Sequence, residues 1–173
     1  ASYEHSNNSK VEVIEGNATN INDVEKAVTN TDVIVSCFGN PKKSQIMFKS
    51  HDNILKVASE QTNIPKCILI SSIGCGRTSW IIKQMLILIG GKSSFADYEK
   101  ADKRISNEKS VPFVLVRPYA LTDKEGKGKY FVTKKQNGTF LKSISRADVA
   151  KYMLDAVTDS QWDGSPGVLL GGV

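Results

Sequence analysis

The sequence predicts an α/β protein built on a doubly wound parallel sheet. Three observations predict it. Strand-like and helix-like runs alternate along the chain. The central strand candidates, "KCILISS" (Lys66 to Ser72) and "PFVLVRP" (Pro112 to Pro118), are apolar without alternation, as strands covered on both faces must be. The 173 residues, 40% apolar and 24% charged, suit one domain, 1–173, with a core of ordinary size.

The elements follow in order. "ASYEHSNNSK" (residues 1–10) is polar and aperiodic, so it reads as loop or disorder and as neither signal nor transit peptide. "VEVIE" (Val11 to Glu15) reads as a strand ended by Gly16. Asn17, Thr19 and Asn20 offer caps to a helix whose apolar positions are Ile21, Val24, Ala27 and Val28. "DVIVSCFG" (Asp32 to Gly39) is a second buried strand, near 32–37. Strand, turn, helix and strand in this order are the middle of a dinucleotide-binding fold, which ordinarily opens with a strand and a glycine-rich phosphate turn. The pattern here starts almost at residue 1, so the fold is expected to be N-terminally incomplete.

A loop, "NPKKS", leads to a helix over about 44–61 with Met47, Ile54, Val57 and Ala58 inward. The strand at 66–72 comes next. "WIIKQMLILIGG" (Trp80 to Gly91) imitates a membrane span, yet it holds only 12 residues and carries Lys83. A span needs about 20 apolar residues. It reads as a short helix or loop packed on the domain, over a pocket. A helix over 96–109, the strand at 112–118 and a short extended piece at "GKYFV" (Gly128 to Val132) follow. Ser145 and Asp148 form a capping box for a helix over 147–157. "GVLLGG" (Gly167 to Gly172) closes the sheet.

Several chemistries are excluded. His5 and His51 are the only histidines, and no Cys/His spacing suggests a metal. No nucleophile elbow, G-x-S-x-G, is present. Cys37, Cys67 and Cys75 lack CxxC spacing, and an odd count without a signal fits a reducing, cytoplasmic setting. The net charge of +5 with lysines at 124, 127, 129, 134 and 135 speaks for attraction to anions, not for reading nucleic acid. "GCGRTS" offers G-x-G at Gly74, but Ser79 stands where a third glycine belongs, so it reads first as a turn. Tyr98 is followed at the fourth position by Asp102, not Lys, so the Tyr-x-x-x-Lys pair of many dehydrogenases is absent and Tyr98 reads as structural.

The runs "VIEGNATNINDVEKAVTNTDVIVSCFG", "CILISSIG", "VPFVLVRPYALTD", "GKGKYFV" and "SISRADVAKYMLDAV", in this order, resemble the NmrA-like atypical short-chain dehydrogenases. Within these the chain is most similar to the biliverdin reductase B, or NADPH flavin reductase, group. The resemblance implies a Rossmann-like sheet without its first strand, glycine-rich turn, first helix and second strand, and a cofactor that is NADP or NAD. It puts Asn17 and Ala18 near the adenine. It puts Ser36, Cys37, Phe38 and Gly39 along the cofactor, with Ser71, Ser72, Arg117 and Pro118 bordering it from the next strands. Ser72 matches a serine beside the nicotinamide, and Tyr119 falls where the group carries a histidine. Ser72 and Tyr119 are thus the catalytic candidates. The substrate implied is a small molecule, a flavin, tetrapyrrole or quinone-like compound, with neither nucleic acid nor membrane as partner.

Two function classes stay open: an NAD(P)H-dependent reductase, and a non-catalytic dinucleotide-binding regulator. The topology carries a further expectation. With the first unit missing, the strand at 32–37 is a bare apolar edge, so the strand at 11–15 either detaches or slides in beside it, and the edge invites self-association.

Overall fold

The computed structural model describes residues 8–39, 45–76, 80–134 and 143–172. His5, the loop at 40–44, the Ser79 end of the glycine turn and Lys135 lie outside the described residues.

Helix α1 (Ile21–Val28) leads into β1 (Val33–Ser36), α2 (Met47–Glu60) and β2 (Lys66–Ile70). Helices α3 (Trp80–Gly90) and α4 (Lys92–Ser106) precede β3 (Phe113–Pro118), β4 (Ala120–Thr122), β5 (Tyr130–Thr133) and β6 (Ser143–Ser145). The chain continues through α5 (Arg146–Thr158) into β7 (Ser165–Gly172). The main sheet runs β1-β2-β3-β7-β5. It is parallel except for β5, which pairs antiparallel with β7 and forms one edge. β4 and β6 pair as a separate small parallel sheet.

The period-two alternation of strands divides the core in two. Cys67, Leu69, Phe113 and Leu115 point to one face and pack with Val24, Val28, Leu55, Val57 and Ile105 from α1, α2 and α4. Ile68, Val114, Val116 and Leu170 point to the other and pack with Val149, Tyr152, Met153 and Ala156 of α5. The sheet is therefore covered on both faces, and its central strands are apolar throughout for that reason. Both helix starts read from capping residues are observed. Asn20 accepts from the Asn22 amide at 3.0 Å, and Ser145 accepts from the Asp148 amide at 3.0 Å.

The expected strand at 11–15 does not form. The segment has no ladder partner among the described residues, and Val13 and Ile14 are 56% and 44% exposed. A strand is a lateral structure: β-forming residues without a neighbour leave their amides and carbonyls to water. Of the two alternatives in the sequence, detachment is the one observed. α4 begins at Lys92 rather than Ala96, because Gly91, at φ 87°, lets the chain turn directly out of α3. β4 and β6 were not foreseen. Three residues each is too short for any periodicity to show.

Candidate active site

Open α/β sheets place ligands beyond the carboxyl ends of their strands, and here that region is a cleft of about 590 Å³. Cys37, Phe38 and Gly39 reach it from the end of β1, Ser71 and Ser72 from β2, and Pro118 and Tyr119 from β3. One wall is α3, through Ile82, Met85, Leu86 and Ile89; another is α5, through Val149, Ala150 and Met153. The lining is largely apolar, with hydroxyls and one thiol set into it. This is the usual make-up of a cofactor or ligand pocket. The apolar run at 80–91 is thus a helix over a pocket, as the sequence suggested.

Adjacent residues divide between the two faces of the sheet. Ser72 stays on the cleft side, its hydroxyl donating to the Ile73 carbonyl at 3.1 Å and keeping capacity to accept. Ser71 also borders the cleft, but its hydroxyl donates to Asp102 Oδ2 at 2.8 Å. Asp102 takes a two-pronged bond from Arg117, Nε at 2.8 Å and Nη2 at 2.6 Å. The structure therefore places Arg117 in a buried ion pair on the α4 side rather than in the cleft. Gly76 and Gly167, both at positive φ, press on its guanidinium, where any Cβ would collide. That contact accounts for Gly76 of the glycine turn as a packing position.

Tyr119 is 3% exposed and meets Phe131 edge to face, ring centroids 5.8 Å apart. Burial pushes its phenol above the ordinary value, so it is a protonated donor at neutral pH. Burial raises Cys37 as well, and pushes Cys67 and Cys75 up to about 12, so none is a thiolate nucleophile. Behind Phe38 lies His51, fully buried. Its Nδ1–H donates to the Met47 carbonyl and its Nε2 meets the Ser36 hydroxyl, each at 2.9 Å, and when the ring is neutral Ser36 is the donor of the second bond. Burial pushes its pKa down to about 4, outweighing the Met47 bond and the Asp97 charge, which act the other way.

Asn17 and Ala18 are not in this cleft. They line a second one of about 380 Å³ between α1, the 14–18 segment and β1. The two clefts share Cys37 and Phe38. The Asn17 side chain is taken up by an Asx turn to Thr19, and the Ala18 carbonyl accepts from Asn53 Nδ2 at 3.1 Å. Tyr98, read from sequence as structural, reaches the principal cleft from α4. Nothing in the sequence marked Tyr98, Arg146 or the α5 residues as cleft-lining, since α5 arrives there by tertiary packing alone. Among the described residues no group of His, Cys, Asp and Glu is arranged to hold a metal. None of the described helices is long and apolar enough to cross a membrane.

The residues present suit the nicotinamide end of a dinucleotide. A largely apolar cleft lies at the strand ends, and Gly39 has open space where a side chain would stand. Fold and cleft together define an α/β nucleotide-cofactor protein. The comparisons make that specific: residues 2–160 match the NAD(P)H-binding family, and the chain belongs to it. Its cofactor class is NADPH or NADH. The chain is similar to an oxidoreductase from Lactococcus lactis at 18% identity and TM-score 0.79, covering 95% of this chain and 73% of that one. It is similar to a short-chain dehydrogenase/reductase from Veillonella parvula in complex with NADP, at 21% and 0.77, covering 97% and 75%. It is also similar to an anaerobillin reductase from Escherichia coli O157:H7, at 20% and 0.69, covering 91% and 73%. Such likenesses show the fold. Among curated protein sequences none matches.

Proposed function

We propose that the protein is an NAD(P)H-dependent reductase of a flat, largely apolar acceptor such as a flavin, a tetrapyrrole or a quinone-like compound. The observation that carries this reading is the cleft at the ends of β1, β2 and β3. It is lined by Gly39, which leaves open space where a side chain would stand, by Ser72 and Tyr119, and by the apolar side chains of α3. NAD(P)H supplies a hydride. Ser72 orients the polar edge of the acceptor or nicotinamide, and the Tyr119 phenol donates a hydrogen bond to the acceptor. Its raised pKa makes it a weak acid, so rate rests on juxtaposing the reactants more than on proton transfer.

One observation favours the second reading, a dinucleotide-binding regulator without turnover. Tyr98 reaches the cleft, but the residue four positions on, Asp102, is bound to Arg117 and Ser71, so no lysine activates the phenol in the usual way. Steady-state oxidation of NADPH with flavin, biliverdin or quinone acceptors separates the two. A reductase shows acceptor-dependent oxidation, which Ser72→Ala and Tyr119→Phe lower. A regulator binds NADPH, seen by nicotinamide fluorescence, and oxidises none of it with any acceptor. Weak NADPH binding is expected for this chain, because the glycine turn ahead of α3 has Ser79 where a third glycine belongs, and its Gly74 and Gly76 are packed against Leu86 and Arg117. Micromolar affinity would show that the pyrophosphate is held by other means.

A further inference from the structure

Among the described residues lining the principal cleft, Arg146 is the single ionised side chain. It is the first residue of α5, directly after the Ser145 cap, and its side chain is 58% exposed. Among the described residues its charge is met only by Asp123, itself 88% exposed. The neighbouring charges do not compete for it. Asp148 is taken by the Ser145 hydroxyl and the Lys127 and Gly128 amides, while on the adjoining surface Lys124, Lys127 and Lys129 outnumber the remaining carboxylate, Glu125. A guanidinium at the mouth of an apolar recess, held by a counter-ion that water also reaches, is a fork whose partner exchanges readily.

We infer that Arg146 selects acceptors carrying a carboxylate or phosphate at their outer end, and that this anion replaces Asp123 when the apolar body fills the cleft. The inference rests on the reading of the cleft as an acceptor site. Screening makes the Arg146–Asp123 pair weak in water. A bound anion beside a buried ring system is better shielded, so the exchange favours the ligand. The class implied is an amphiphile with a planar apolar body and a terminal anion, positioned by the α5 end of the cleft.

The test uses FMN and riboflavin, which share a ring system and differ in the terminal phosphate, titrated by flavin fluorescence against the full chain. FMN is expected to bind about tenfold or more tightly than riboflavin, the usual effect of a hydrogen-bonded charge. Arg146→Gln removes that difference by weakening FMN alone, Arg146→Lys restores part of it, and Asp123→Asn tightens FMN a few-fold. Arg146 is exposed at a helix start, and circular dichroism checks that its variants stay folded. Equal binding of both flavins to the unaltered chain overturns the inference and leaves the acceptor-site reading standing. So does an Arg146→Gln variant that weakens both alike, or one that weakens NADPH but not FMN. Binding of neither flavin overturns the inference together with the acceptor-site reading for flavins.

Discussion

The two clefts meet at Cys37 and Phe38 yet are built on opposite terms. The principal cleft stands on the ends of strands paired to their neighbours, roofed by α3 and floored by α5. The smaller one runs beside β1, whose outer side has no strand partner among the described residues, and its far wall includes the unpaired 14–18 segment. The difference shows where preorganisation comes from. Ladder bonds and two-sided packing fix Ser72 and Tyr119 before any ligand arrives. Asn17 and Ala18 are held by a local turn, a bond from the Asn17 amide to the Asp23 carboxylate and one from Asn53. Substitutions on the paired side should therefore be costly and those on the open side mild.

The largest expected effect tests that asymmetry at Asp102. Asp102→Ala leaves Arg117 buried and uncompensated, and should cost about 3–5 kcal/mol in urea denaturation. Replacing both partners by Leu and Met should cost much less. A loss under about 1 kcal/mol for Asp102→Ala would mean that the pair does not anchor α4 to the sheet.

Acid comes next. His51 is neutral when folded, with its pKa pushed down to about 4 from 6.5. The unfolded chain therefore binds the extra proton first. Stability from this group is full above pH 6.5 and is lost as pH falls from there towards 4, by about 3 kcal/mol. His51→Gln should flatten that window. The carboxylates that their partners hold low against the opposing effect of burial, Asp52 beside Lys56 and Arg104 and Glu108 beside Arg104, act from the acid end of that window downward. An unaltered slope between pH 6.5 and 4 in the variant would assign the loss elsewhere.

The open side should show itself in association before it shows in stability. Val35 on the β1 edge is 41% exposed, and an apolar edge is a template for another chain. We expect the chain to scatter light as it unfolds and Val35→Lys to reduce that scatter. A monomer with a sharp, reversible transition well above about 65 °C, the upper end for mesophile domains, would break the comparison. The smallest effects belong to the open side itself. Asn20→Ala removes one cap and should cost about 1 kcal/mol. Val13→Ser should stay within about 0.5 kcal/mol, since Val13 is 56% exposed and packs on little. A larger loss at Val13 in thermal unfolding would show that the 11–16 segment is docked in solution.

Much of this was legible in the sequence. Apolar runs marked β1, β2 and β3, Asn20 and Ser145 marked helix starts, and the strand ends marked where a ligand would lie. Cys37 to Gly39, Ser72 and Tyr119 were named through the family resemblance, and the structure puts all five on the lining of the principal cleft. Tertiary structure decided the rest. A uniformly apolar strand does not reveal which alternate residues face which side, so only packing put Arg117 onto Asp102 while Pro118 borders the cleft. Pairing also lies outside local sequence: "VEVIE" has the residues of a strand, yet a strand exists only beside another. The roof of α3 over the recess and the arrival of Arg146 from α5 join residues far apart in the chain. Burial of apolar surface drives that meeting, and it acts on contacts that no local spacing encodes.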